Sequence, residues 1–209
     1  MTTALLQTTY FGPIQWYQKL YRYDHCMIEQ YDSFQKQTYR NRCVIATANG
    51  VQALTVPVEH TNLSPLTSHL SPLVKDLRIS DHNQWRRVHW NALQSAYSES
   101  PFFEYYADDL HPFFEQKYDY LLDFNEAIRQ KVCELLDIHP DVSYTSDFRH
   151  QTSDITDYRD VINAKHPLPD ADFTPKAYWQ VFQHKHGFLP NLSILDLLFN
   201  MGPESIFYL

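Results

Sequence analysis

Residues 3–31 read TALLQTTYFGPIQWYQKLYRYDHCMIEQY, and this stretch decides the fold. It opens with apolar and β-branched side chains without helical spacing, which predicts a strand that runs into a Gly-Pro turn. From Pro13 to Asp24 apolar and aromatic residues recur at helical intervals, and residues 25–31 are again β-prone, so a helix and a second strand follow. This order predicts a βαβ unit of a parallel sheet, whose ligands usually bind beyond the carboxyl ends of the strands.

Two further kinds of signal follow the βαβ unit. Residues 43–58 are two β-prone runs around Asn49-Gly50, which predicts a β-hairpin with a type I′ turn. Residues 59–72 are rich in Thr, Ser, Asn and Pro and predict a loop or lid, and residues 74–79 predict another strand.

Helix start signals dominate the remaining chain, although residues 142–148 predict a strand and residues 151–173 allow no assignment. The predicted helices are one from Trp85 after an Asp81 and Gln84 capping box, one from Ser100-Pro101, one capped by Asp123 and Glu126 that runs to about Leu136, one from Thr174-Pro175 to Gly187, and one over residues 194–200 capped by Ser193 and Asp196.

The predicted fold class is therefore α/β: an N-terminal, mostly parallel sheet with a βαβ start and a β-hairpin, packed against a helical C-terminal half. A chain of 209 residues suits a single domain. We expect residues 1–80 to be its sheet-rich part and residues 81–209 its mainly helical part. The sequence leaves open whether the protein is a monomer or a homo-oligomer.

Composition excludes several function classes. A formal charge of −8 argues against nucleic-acid binding. The four isolated glycines cannot form a phosphate-binding loop or a dinucleotide fingerprint, and the His spacings do not suit zinc, so no cofactor and no metal are predicted. The three cysteines form no close pair, and the N-terminus lacks a signal peptide or membrane anchor, so we expect a cytoplasmic protein without membrane insertion.

Residues 35–42, QKQTYRNR, form the most polar segment near the predicted sheet. Guanidinium forks and side-chain amides suit a planar anion such as phosphate or carboxylate. The alternative is an exposed strand edge whose charges prevent aggregation. The segment follows the second predicted strand, so we expect it to bind a small anionic substrate. The candidate residues are Gln35, Lys36, Arg40, Asn41 and Arg42.

Several motifs together are similar to the WbqC-like protein family over most of the chain. They are Tyr10-Phe11 with Lys19 downstream, Arg40-Asn41-Arg42 followed by Asn49-Gly50 and LTVPV at 54–58, Trp85 with His89, and LSILDLLFN at 192–200 followed by Gly202 and Glu204. The family takes its name from surface-polysaccharide (O-antigen) gene clusters, so the resemblance implies a role in making or modifying an activated sugar. Many members carry His-Gln-Pro before the Tyr-Phe pair, whereas this chain has Leu6-Gln7-Thr8 and matches only the glutamine.

The predicted function is a transferase reaction on an anionic or nucleotide-activated sugar in cell-surface polysaccharide biosynthesis. Lys36, Arg40 and Arg42 would hold the anionic part, and His89 would move a proton, with a core histidine as the alternative. Further substrate-binding candidates are Lys19, Asn200 and Glu204; for the last two, a helix C-cap and a solvated surface are the alternatives. The alternative function is a non-catalytic binding or scaffold protein of the cell-envelope pathway.

Overall fold

The computed structural model describes residues 1–59, 71–146 and 155–209. Within these ranges the protein is mixed α/β, as predicted, with a parallel sheet, an antiparallel hairpin and helices mostly in the middle and C-terminal parts. The loop or lid predicted over residues 59–72 falls largely outside the described residues, as do residues 147–148 of a predicted strand.

The predicted βαβ unit is confirmed. Strands β1 (Thr3–Gln7) and β2 (His25–Glu29) are parallel neighbours, and α1 (Ile14–Arg22) connects them. The helix is enclosed rather than laid on the surface, because residues 14–20 are all buried. Polar side chains on this helix therefore need partners inside the protein.

Two short strands complete the sheet. Strands β5 (Val142–Tyr144) and β6 (Ile155–Asp157) extend it to four parallel strands in the order β5-β2-β1-β6. The first of them confirms the strand predicted from residue 142, and β6 lies where the sequence allowed no assignment. The strand order reverses between β1 and β6, and such a switch point is where open α/β sheets bind ligands.

The predicted hairpin is confirmed as β3 (Arg42–Thr47) paired antiparallel with β4 (Gly50–Thr55). The type I′ turn at Asn49 and Gly50 is wrong by one residue. Thr47 pairs with Gly50, so the two intervening residues form the turn. The Thr47 hydroxyl fixes this register, because it accepts a hydrogen bond from the Asn49 N–H and donates one to the Gly50 carbonyl.

The strand predicted over residues 74–79 is wrong. Val74–Asp76 form a single 3-10 turn instead. The N–H of Val74 donates to the carbonyl of Asp32 at 2.9 Å, so this turn is held by the segment that follows β2 and not by a ladder of strand pairs.

Most of the predicted helices are present. They are α2 (Trp85–Tyr97), α3 (Phe103–Leu110) with the short α4 (Pro112–Glu115), α5 (Leu121–Leu135), and α7 (Ile194–Met201), which follows the short α6 (Gln183–His186).

The predicted side-chain caps are confirmed at one helix and wrong at two. Ser193 caps α7, because its hydroxyl accepts the N–H of Leu195. Asp81 does not cap α2; its carboxylate accepts a hydrogen bond from Lys117 at 2.7 Å. Asp123 lies inside α5, which begins two residues earlier.

The helix predicted from Thr174 to Gly187 is wrong except for its last turn, α6. Residues 173–180 are irregular because side chains here serve a neighbouring helix. The hydroxyl of Tyr178 donates to Asp196 of α7, and Gln180 donates to the same carboxylate. These bonds hold the segment against α7 in place of an internal helix ladder.

The C-terminal helix ties the layers together. The N–H of Ser193 donates to the carbonyl of Val44 in β3, and the N–H of Ile194 donates to that of Gly12 before α1. The buried apolar residues form one hydrophobic cluster that spans sheet, hairpin and helices. Among the described residues, no helix is both long enough and apolar enough to cross a membrane.

Candidate functional site

Five charged side chains meet where the parallel strands end. We call this group, Glu29, Asp32, Arg40, Asp157 and Arg159, the carboxyl-end cluster. The Nη1 atom of Arg159 lies 3.3 Å from Glu29 and 3.1 Å from Asp32, and its Nη2 lies 2.7 Å from Asp157. The Nη2 atom of Arg40 lies 2.9 Å from the other oxygen of Asp32. Asp32 therefore bridges two guanidinium groups.

Parts of this cluster are buried and firmly held. Glu29 is almost fully buried, and its Oε1 accepts the N–H of Tyr31 at 2.7 Å and the hydroxyl of Thr145 at 2.9 Å. Arg40 is also buried, and this burial lowers the pKa of its guanidinium, while Asp32 acts in the opposite direction. Both side chains are thus fixed in position before any ligand arrives.

Arg159 sets the charge state of the cluster. Its hydrogen bonds to Asp157 raise the pKa of the guanidinium. Burial raises the pKa of Asp157, but the contacts with Arg159 outweigh it, so that the carboxyl titrates below its ordinary value. Three carboxylates face two guanidinium groups at neutral pH. A ligand anion would consequently have to displace a carboxylate from an arginine.

Polar groups at the end of β1 lie beside the cluster. The amide of Asn125 donates to the Thr8 hydroxyl at 3.1 Å and to the Arg40 carbonyl at 2.8 Å, which ties α5 to both segments. The side-chain oxygens of Gln7 and Thr9 are buried and have no hydrogen-bond partner among the described residues. Buried polar atoms of this kind are uncommon in folded proteins.

The predicted anion-binding segment 35–42 divides into three parts. Its first three residues are exposed, and Arg40 reaches the carboxyl-end cluster. Asn41 is buried and its amide donates to the carbonyl of the residue after β4 at 2.8 Å. The Nε atom of Arg42 donates to the hydroxyl of Thr55 across the hairpin at 3.2 Å. Asn41 and Arg42 therefore brace the hairpin, and Arg40 is the predicted residue that joins the cluster.

His89 lies in an aromatic part of the core. Its Nδ1 is 2.9 Å from the hydroxyl of Tyr10, and the ring packs edge-on against Trp85. Burial lowers the pKa of His89 to about 4, although a hydrogen bond with the backbone of Thr55 opposes the shift. The ring is neutral at pH 7, and this position favours the core-histidine alternative over proton transfer.

This burial predicts a pH dependence of folding. The unfolded chain protonates His89 near pH 6.5, whereas the folded protein does so only near pH 4. The unfolded state therefore binds the extra proton in that window, and stability falls as the pH falls. We expect the wild type to lose ~3 kcal/mol relative to His89→Gln between these pH values. Urea unfolding of both proteins measures the difference, and parallel curves would contradict it.

Lys19 lies away from the carboxyl-end cluster. Its side chain is 1% exposed, its Nζ is 2.7 Å from Asp170, whose side chain is 4% exposed, and it sits 4.4 Å above the ring of Tyr158. The ion pair explains how the enclosed helix α1 tolerates a lysine.

The other two predicted substrate-binding residues lie at the end of α7. Asn200 is buried and its amide donates to the carbonyl of Asp196 at 2.7 Å. Glu204 is exposed in the 3-10 helix Gly202–Tyr208. The contacts of Asn200 are those of a helix interior, and Glu204 has the position of a solvated surface residue.

Sequence reasoning missed four of the five cluster residues. Asp32 and Arg159 carried no pattern, because one lies in a turn and the other in the unassigned stretch. The signal would have been the pairing of Leu5 with Asp157, which brings β6 beside β1. In the described part of the chain, no group of three His, Cys, Asp or Glu side chains is placed to hold a metal ion.

Comparison with known proteins gives the family. The model of the WbqC-like protein family matches residues 7–208. "Uncharacterized protein Rv1507c" of Mycobacterium tuberculosis (strain ATCC 25618 / H37Rv) is 26% identical over 229 residues, which covers 99% of this chain and 96% of the relative. No solved structure matches the chain at a significant level. The extent of the family match shows that this chain belongs to the WbqC-like protein family.

Proposed function

We propose that the protein is a group transferase that binds an anionic or nucleotide-activated sugar, a precursor of a cell-surface polysaccharide, at the carboxyl-end cluster. One observation carries the proposal: Arg40 and Arg159 converge on the single carboxylate of Asp32 at the edge where α/β sheets bind ligands. The polysaccharide context rests on family membership.

The two arginines suit a phosphate-bearing ligand. A guanidinium fork matches the oxygens of a phosphate group, and two forks that meet at one carboxylate would meet equally at one phosphate group. In this proposal the ligand takes the place of Asp32. Arg40 is fixed by burial, and Arg159 is partly exposed and can adjust to the ligand.

The carboxylates supply the remaining chemistry. In the transfer step, the acceptor's hydroxyl or amine forms the new bond, its proton passes to a cluster carboxylate, and the bond to the phosphate-bearing leaving group breaks with its electron pair. The arginines stabilise the negative charge that develops on the leaving group. His89 takes no part in this scheme, because it lies in the aromatic core.

Binding measurements on three variants test the proposal. We expect UDP-N-acetylglucosamine, used as the probe in calorimetric titration, to bind about tenfold or more weakly to Arg159→Gln, since a charge-assisted contact is lost. Asp32→Asn should bind several-fold more tightly, because the competing carboxylate is gone. Arg78→Gln is the matched control, since Arg78 contacts Tyr120 at the surface. Equal affinities for wild type, Arg159→Gln and Asp32→Asn would reject the site.

A specific observation favours the second candidate, a non-catalytic binding or scaffold protein. Tyr105 and Phe207 are 72% and 70% exposed, beside a hollow of about 350 Å³ that Tyr105 and Ile206 line. Exposed aromatic side chains are typical of protein contact sites. Complementation of a deletion strain separates the candidates: a transferase needs Arg159, whereas a scaffold tolerates Arg159→Gln and fails with Tyr105→Ser and Phe207→Ser together.

A further inference from the structure

A second cleft opens at the opposite end of the sheet. It has a volume of about 680 Å³ and is lined by residues that include Thr2, Lys19, Arg22 and Lys176. Thr2 precedes β1 and Arg22 ends α1, so the cleft lies at the amino ends of β1 and β2. Five residues separate Thr2 from Gln7, which in a strand is roughly 17 Å, so this cleft and the carboxyl-end cluster are separate places.

The cleft is cationic although the protein is acidic. Lys19 is balanced by Asp170, which leaves Arg22 and Lys176 against the single carboxylate of Asp172 in the wall. The hydroxyl of Tyr158 already occupies that carboxylate at 2.9 Å. The formal charge of the whole chain is −8, so an excess of positive charge around one cavity is a local departure from the general surface.

The two cations retain free hydrogen-bonding capacity. Lys176 donates to the carbonyl of Phe207 at 2.7 Å, and Arg22 donates to that of Leu209 at 2.8 Å. A lysine carries three N–H donors and an arginine five, so each keeps donors beyond the one that positions it. These backbone contacts hold both cations beside the cleft.

The wall behind these cations is fixed in advance. The hydroxyl of Tyr23 lies 2.6 Å from that of Tyr158, which in turn donates to Asp172, and Lys19 lies over the Tyr158 ring. The amide of Gln18 donates to the Asp172 carbonyl at 3.1 Å. A connected polar network of this kind keeps its side chains in place and so reduces the ordering cost of binding.

We propose that this cleft is a second ligand site, which binds a small phosphorylated molecule. Arg22 and Lys176 hold the phosphate, and the uncharged part of the ligand packs against Tyr23 in the wall. A guanidinium together with an ammonium is the pairing that suits a phosphate group best. This site does not depend on the function proposed for the carboxyl-end cluster.

Titration of the full chain with α-D-glucose 1-phosphate tests this site. We expect binding to the wild type, and about tenfold weaker binding to Lys176→Gln and to Arg22→Gln, the effect of one lost charge-assisted hydrogen bond. Both residues are exposed, so the variants should fold, which circular dichroism checks. Lys185→Gln is the matched control, because Lys185 also donates to a backbone carbonyl, that of Ala48, but lies outside the cleft.

The same titration of Arg159→Gln distinguishes the two sites. Unchanged binding to this variant, together with weakened binding to Lys176→Gln and Arg22→Gln, assigns the sugar phosphate to the cleft. Absence of binding to the wild type would overturn the proposal. So would wild-type affinity in a Lys176→Gln and Arg22→Gln double variant, or a loss of binding confined to Arg159→Gln, which would place the ligand at the carboxyl-end cluster.

Discussion

We expect the Asp196→Ala variant to lose ~4 kcal/mol of the free energy of unfolding, because it strands three buried hydrogen-bond donors. Asp196 is fully buried in α7. Its Oδ1 accepts the hydroxyl of Tyr97 at 2.8 Å, and its Oδ2 accepts the hydroxyl of Tyr178 at 2.6 Å and the amide of Gln180 at 3.0 Å. Burial raises the pKa of this carboxyl, and these donors oppose the shift.

The loss would spread through the core because the donors come from distant parts of the chain. Tyr97 ends α2, and its hydroxyl also accepts the N–H of Ala46 in β3 at 3.2 Å. It cannot turn away to find a new partner without giving up that contact. Tyr178 and Gln180 hold the irregular segment before α6, so we expect that segment to loosen when the carboxylate is removed.

Urea unfolding with circular dichroism measures the effect. Asp109→Ala is the matched control: Asp109 is half exposed and pairs with Lys131 at 3.4 Å, so its removal should cost below ~1 kcal/mol. Tyr178→Phe removes one of the three donors and should lie between the two, at ~1 kcal/mol. A loss below ~1 kcal/mol for Asp196→Ala would show that the buried network is not a source of stability.

Asp196 also shows what a local pattern can and cannot reveal. Its spacing from Ser193 predicts a capping box, and the Ser193 half of that prediction is confirmed. The carboxylate of Asp196 instead faces inward, toward a tyrosine 99 residues away in sequence. Capping involves four consecutive residues and is visible in the sequence, whereas partners for a buried carboxylate come from the tertiary fold.

The same distinction explains the candidate site. The βαβ unit, the hairpin and most of the helices were predictable, because side-chain periodicity and turn residues lie within each element. Strand β6 was not, since it has three residues, two of them exposed, and no period can be read from it. Its register against β1, Thr3 opposite Ile155, places Arg159 beside Glu29. Arg40 was predictable as an anion ligand by its chemistry, but its partners depend on that register.

The second large effect is expected at Lys19. Lys19→Met should lower the free energy of unfolding by ~3 to 5 kcal/mol, because it leaves Asp170 buried without its cation. Asp170→Leu should cost a similar amount, since the ammonium of Lys19 is then unpaired in the enclosed helix α1. Gln15 donates to the same oxygen of Asp170 at 2.7 Å, and a neutral amide replaces only part of the lost interaction.

The double variant decides what the lysine does. Removal of both charges also removes the cost of burying them, so Lys19→Met with Asp170→Leu should be more stable than either single variant. It should remain somewhat less stable than the wild type, because the contact of Lys19 with the Tyr158 ring is lost as well. If Lys19 instead serves mainly to hold an anionic ligand, as the sequence predicts, Lys19→Met weakens ligand binding and leaves unfolding nearly unchanged. The two variants would then show additive unfolding energies, whereas a structural ion pair gives a coupling energy of ~2 kcal/mol or more.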